Sequence, residues 1–231
     1  MKIFYEKNEF LFCMLLIAIY IVINSLCINL FGMTDYRTAI INILLSILVL
    51  LFIRFNNLGN YFGLSSFPSP KKYLYFIPLL LIISVNLWGS IYINNSTSEI
   101  IFYIISMIGV GFLEEIIFRG FLFKMMEKNN VMTSIIVSSV TFGIGHIINL
   151  LNGADILPTL MQIIYATAGG YLFVTIFYKS KSLWPCIITH ILVNSLSIFG
   201  GNENVISIWI TPIFLTIVSV LYAMYINKTI K

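Results

Sequence analysis

IFYIISMIGVGFLEEIIFRGFLF (101–123) is an almost wholly apolar run broken by two adjacent acids, Glu114 and Glu115, and by Arg119. It is long enough to cross the ~30 Å hydrocarbon layer of a bilayer as one helix. An ionised acid at mid-bilayer costs at least ~2.5–3.5 kcal/mol on insertion scales, so the doublet needs an internal partner or a task. The rest of the chain has the same apolar character. Runs near twenty residues fall at about 10–31, 39–55, 73–94, 100–118, 131–150, 156–178, 183–199 and 205–226. The runs are continuous, whereas the strands of a membrane barrel alternate, so a β-barrel is excluded. The expected fold is all-α, a polytopic bundle of about eight transmembrane helices forming a single membrane domain over 1–231.

Composition agrees. The 231 residues are 59% hydrophobic and 10% charged, against about 45–50% and 25% in soluble domains, which leaves too few charges for a water-facing surface. The leader before the first run carries acids as well as lysines and no small-residue cleavage site follows it, so that run is expected to be an uncleaved anchor. Net charge of +4 comes from 13 basic residues spread along the chain, which fits topology signals better than a nucleic-acid surface. Lys2, Lys7, Arg54, Lys71, Lys72, Arg119, Lys124, Lys128, Lys179, Lys181, Lys228 and Lys231 fall on segments that face one side if eight helices alternate, and Arg37 alone falls on the other. The positive-inside rule then places both termini in the cytoplasm. Cys13, Cys27 and Cys186 sit in apolar runs with no metal spacing and read as small core residues. The loop 56–72, with Pro68 and Pro70, is expected to be irregular. Gly169-Gly170 reads as a helix-packing contact, and the many Tyr and Phe as lipid-facing or interfacial residues.

Five ionisable residues cannot be assigned to loops: Glu114, Glu115, Arg119, His146 and His190. Glu115 and Arg119 are i and i+4, the favourable order for an ion pair on one helix face, and that pair reads as structural. Glu114 is rotated by about 100° and left free for general-base work. Phe142 and His146 share a face at the same spacing, as do His190 and Asn194, and counting rise from the loops puts Glu114, His146, His190 and Asn194 at compatible depths. A lone membrane histidine also serves as interhelical hydrogen-bond glue, but both histidines of the chain lie at the depth of the glutamate doublet. Water held by His146 and deprotonated by Glu114 could attack a carbonyl whose oxygen is received by His190 and Asn194, which is amide hydrolysis without a covalent intermediate. Cys186, at i−4 to His190, is a less favoured nucleophile. A zinc site of Glu114, His146 and His190 meets a ligand count seen in metallopeptidases, yet no H-E-x-x-H helix is present, so no cofactor or metal is the preferred reading.

GFLEEIIFRGFL (111–122) resembles the EExxxR motif of the CAAX prenyl protease and bacteriocin-processing family of intramembrane peptidases, also called the abortive-infection (Abi) domain. SSVTFGIGHIIN (138–149) is similar to its FxxxH motif, and SLWPCIITHILVNSLS (182–197) to its HxxxN motif. The resemblance covers 100–200 closely. It implies eight helices and a glutamate-dependent peptidase, with Glu114 as base, His146 holding water, His190 and Asn194 at the oxyanion, and Glu115, Arg119 and Phe142 as supporting motif positions. It further implies a peptide or lipid-proximal protein substrate. The Ile-, Asn- and Lys-rich usage fits an AT-rich bacterium and a place in the bacterial cytoplasmic membrane, with roles in peptide maturation, peptide signalling or bacteriocin processing and immunity. The competing expectations are a non-catalytic immunity or regulatory partner of a membrane sensor, and a small transporter, for which no internal repeat is seen.

Overall fold

The computed structural model describes residues 2–65, 67, 71, 74–89, 91–200 and 205–230. A short helix α1 (Lys2–Lys7) leads into eight apolar helices: α2 (Glu9–Phe31), α3 (Tyr36–Phe55), α4 (Leu74–Leu87), α5 (Thr97–Glu127), α6 (Val131–Leu151), α7 (Ile156–Ser180), α8 (Trp184–Phe199) and α9 (Ile206–Thr229). Each expected window therefore forms a helix. Six are long and apolar enough to span a membrane, whereas α4 and α8 are shorter apolar helices. In α4, Pro78 sits between a 3-10 turn and the α-helical Leu79–Ser84, so the run is broken into short pieces. Among the described residues the extended pairing is confined to an isolated bridge between Ile91 and Gly200. The protein is a multi-pass helical membrane protein.

Helix starts follow local chemistry. Asn8, Asp35 and Asn130 each accept a first-turn backbone N–H, and Ser96 with Glu99 completes a capping box at the start of α5. Side chains such as Ile19, Leu26, Leu48 and Ile217 stand exposed along the spans, an arrangement that water would penalise and lipid accepts. The two ends of the bundle differ in charge. Lys128 pairs with Glu9 at 2.6 Å and Lys181 with Glu127 at 4.0 Å, gathering the start of α2, the α5–α6 turn and the α7–α8 turn at one end. At the opposite end Asn152 accepts from Ser25 Oγ at 2.6 Å and from Asn29 Nδ2 at 2.7 Å. The basic residue at this end, Arg37, donates to Asp35 at 2.8 Å and holds that carboxyl down at about 2. Arg119, counted above among the basic-side residues, is wholly buried and belongs to neither end.

Over its described residues the 56–72 loop is irregular, as expected, and it is packed against the bundle. Phe62 is fully buried, Leu183 N–H donates to Gly63 O at 3.1 Å, and Trp184 Nε1 donates to Leu64 O at 2.9 Å. Pro68 and Pro70 lie outside the described residues. Some of the aromatic residues face inward, since Phe12, Phe118, Phe121, Phe142, Phe173, Tyr20 and Tyr103 are buried, while others such as Phe10, Phe55 and Tyr225 are exposed. Hydropathy cannot separate these positions, because lipid and core are equally apolar.

Close packing of α7 against α6 and α9, of α5 against α3, and of α8 against α5 and α4 sets the interior. Gly170 brings α7 within 3.1 Å of Ser139 Cα as measured from an added Cβ, as expected of a packing glycine, while Gly169 meets open space and borders the cavity described below. A methyl group on Gly143 would collide with Thr167 Oγ1 and lie 2.8 Å from Ile163 O. Gly143→Ala should therefore destabilise the α6–α7 contact by about 1–3 kcal/mol through overpacking, read as a lower melting temperature in detergent. An unchanged melting temperature would show that the two helices separate freely.

Candidate active site

The site is built at the point where α5 changes its winding. Thr97–Glu115 is α-helical and Ile116–Phe123 is π-helical, so the two glutamates stand on the last α turn before a widened segment. Wide turns of this kind recur at functional positions. The segment is buried at every residue, and the carbonyl of Phe118 accepts from Ser138 Oγ at 2.8 Å, which ties it to α6.

Glu115 points into the protein and is fully buried. Its Oε1 lies 3.2 Å from Arg119 Nη1 and 2.7 Å from His190 Nδ1. The expected i, i+4 ion pair is present, and it has a third member. Arg119 is also fully buried, with its guanidinium centred 4.2 Å over the Phe142 ring and 5.7 Å from that of Phe173. Phe142 touches His146 and His190 edge to face at 5.3 and 5.8 Å. This ring thus braces both histidines and covers the arginine.

Glu114 points the other way, into a cavity of about 800 Å³. His146, His190, Asn194 and Phe142 line the same cavity, so the tertiary fold brings together the positions singled out by spacing. Glu114 Oε2 lies 3.5 Å from His190 Nε2. Glu115 therefore holds the Nδ1 edge of the imidazole, and Glu114 stands opposite the Nε2 edge without a hydrogen bond to it. Asn86 Nδ2 donates to Val193 O at 2.6 Å and anchors α8 beside Asn194. Cys186 is fully buried with its thiol donating to Phe173 O at 3.2 Å, which removes it from the cavity wall. Among the described residues no three His, Cys, Asp or Glu side chains converge tightly enough to hold a metal ion together.

Glu114 is not free, contrary to the spacing argument. Tyr20 of α2 donates its phenol O–H to Glu114 Oε1 at 2.6 Å. Sequence reasoning passed over Tyr20 because nothing in an aromatic residue within an apolar run marks it as facing inward. The side-chain amides Asn24, Asn149, Asn152 and Gln162 also line the cavity, with Asn149 donating to Gln162 at 2.8 Å.

The fold and site together define a polytopic, all-helical membrane protein with a glutamate doublet, an arginine and two histidines gathered around one buried cavity. Residues 96–196, the stretch that carries this site, match the family described as type II CAAX prenyl endopeptidase Rce1-like. It is also 34% identical over 103 residues to the "Putative membrane peptidase YdiL" of Bacillus subtilis (strain 168). That alignment covers 44% of this chain and 38% of the relative's length. No solved structure matches the chain.

Removing Arg119 would leave Glu115 buried without its cation. Arg119→Ala should cost about 3–5 kcal/mol, read as a lower melting temperature and lower protein yield. Full stability of Arg119→Ala would remove the structural role and reassign the guanidinium to a ligand.

Proposed function

We propose that this protein is an intramembrane endopeptidase that hydrolyses a peptide bond of a membrane-proximal substrate with water activated by Glu114 and His146. The observation that carries this reading is the opposed pair at the cavity floor, Glu114 Oε2 and His190 Nε2 at 3.5 Å, with His190 Nδ1 held by buried Glu115. The match of 96–196 to a prenyl endopeptidase family supports it.

The chemistry follows from charge and tautomer. A carboxylate at 2.7 Å from Nδ1 accepts a proton-bearing nitrogen, so neutral His190 would present a bare Nε2 to the cavity. To donate to an oxyanion, His190 must hold a second proton. Two carboxylates and one guanidinium leave one negative charge, which an imidazolium balances while Glu114 stays ionised as a base. Glu114 then takes a proton from water oriented by His146, and the oxygen bonds to the substrate carbonyl carbon. The carbonyl oxygen, now negative, receives hydrogen bonds from His190 Nε2–H and the Asn194 amide. On collapse the C–N bond breaks and the proton on Glu114 passes to the departing amine. Tyr20 holds Glu114 Oε1, which aims Oε2 at the reaction centre. No step is assigned to a metal, and the residues work in this scheme without a cofactor. The biological setting that fits best is bacterial peptide maturation, peptide signalling or bacteriocin processing in the cell membrane.

Glu114→Gln keeps the shape and removes the base, so the purified variant should fold normally and lose ~10²–10⁴ in cleavage rate. Near-normal cleavage would overturn the assignment, and loss of wild-type cleavage on phenanthroline treatment with recovery on added Zn²⁺ would replace it with the zinc scheme of Glu114, His146 and His190. Tyr20→Phe removes a hydrogen bond to a charged group, worth ~1.5–3 kcal/mol, and should lower kcat about ten-fold or more with little change in KM. Equal kcat in the two proteins would limit Tyr20 to packing.

A further inference from the structure

The cavity that holds Glu114 is blind at one end of the molecule and bordered by connections at the other. Met33 in the α2–α3 turn, Gly89 after α4, Gly153 and Ala154 between α6 and α7, Gly200 after α8 and Ser207 in the first turn of α9 all line it. No described residue from the connections at the basic end, 56–65, 124–130 or 181–183, does so. Beneath Glu114 the way to that end is filled by Ile116–Phe123, every residue of which is buried, and by the Glu115–Arg119 pair. Lys124, Lys128, Lys179 and Lys181 stand at the blind end, whereas Arg37 at the open end is neutralised by Asp35. By the positive-inside rule the blind end is cytoplasmic.

The walls are also selective. Six carboxamides, of Asn24, Asn86, Asn149, Asn152, Gln162 and Asn194, line the cavity, and Glu114 is the one Asp, Glu, Lys or Arg among the described lining residues. A carboxamide both donates and accepts, which matches the N–H and C=O of a peptide unit. Away from Glu114, a charged substrate side chain would be desolvated there without an acidic or basic partner.

We infer that Glu114 is reached from the extracytoplasmic face, and that the occupant is an extended stretch of peptide without charged side chains. This rests on the peptidase reading for the nature of the occupant, and on charge and cavity geometry alone for the side of entry.

The test uses the full chain in intact cells, with the native cysteines kept because all three are buried. Ala154→Cys and Lys128→Cys, both at exposed positions, are treated separately with a membrane-impermeant maleimide, the parent chain giving the baseline. Ala154→Cys should label as fully in intact as in permeabilised cells, while Lys128→Cys should rise about ten-fold on permeabilisation. The reverse pattern, or equal labelling of both in intact cells, overturns the proposed side of entry. In the Ala154→Cys protein carrying Glu114→Gln, so that nothing is cleaved, a capped peptide of Ala, Asn, Gly and Ser at millimolar concentration should slow labelling about three-fold or more, a weak-binding effect. The same peptide with interspersed lysines should not. Equal protection by both, or none by either, overturns the substrate class. Labelling needs no turnover. An active enzyme with reversed labelling therefore sinks the access route alone, and an inactive protein labelled from outside sinks only the peptidase reading.

Discussion

A single carboxylate oxygen organises the interior. Glu115 Oε1 faces Arg119 Nη1 at 3.2 Å and His190 Nδ1 at 2.7 Å, and all three side chains are buried. In a medium of low dielectric an unpaired charge is costly, so each partner makes the others tolerable. The arrangement also joins α5 to α8, and it sets which nitrogen of His190 faces the cavity. The phenyl ring of Phe142 extends the network by covering Arg119 and touching both histidines. The ion pair that looks structural in sequence is therefore the support on which the orientation of a reactive group depends.

The surrounding fold separates an apolar floor from an amide-lined chamber. The π-helical segment Ile116–Phe123 and the aromatic residues around it fill the space toward the basic end. Close approach of α6 and α7 at Gly143 and Gly170 closes one wall. On the other side of Glu114 the walls mix carboxamides and hydroxyls with apolar side chains such as Ile82, Val110 and Leu215. Glu114 stands at this boundary, with packed apolar side chains below it and the cavity above.

Tyr20 has a further consequence for where the site ends. The stretch that matches the peptidase family is 96–196, yet the group that holds Glu114 Oε1 comes from α2. Asn24, one turn further along α2, lines the same cavity. The N-terminal helix is thus part of the site and not simply an anchor for it. The short helix α4 contributes likewise through Asn86, which fixes α8 beside Asn194.

Composition and continuous hydropathy determined that this chain is a helical membrane bundle, because in lipid only backbone that bonds within its own segment can span. Rare ionisable residues in apolar runs marked Glu114, Glu115, Arg119, His146 and His190 as candidates, since each is costly to bury without a partner, and helical spacing from His190 added Asn194. Helical spacing gave the Glu115–Arg119 pair correctly because i and i+4 neighbours meet on one helix whatever surrounds it. Spacing had no access to contacts between helices. Only the tertiary structure decided that Glu115 also holds His190, that Tyr20 binds Glu114, that α4 and α8 are short, and that the cavity opens away from the basic end. The physical reason is that lipid and protein core reward the same apolar side chains, so which face of a membrane helix turns inward is fixed by packing partners far away in sequence.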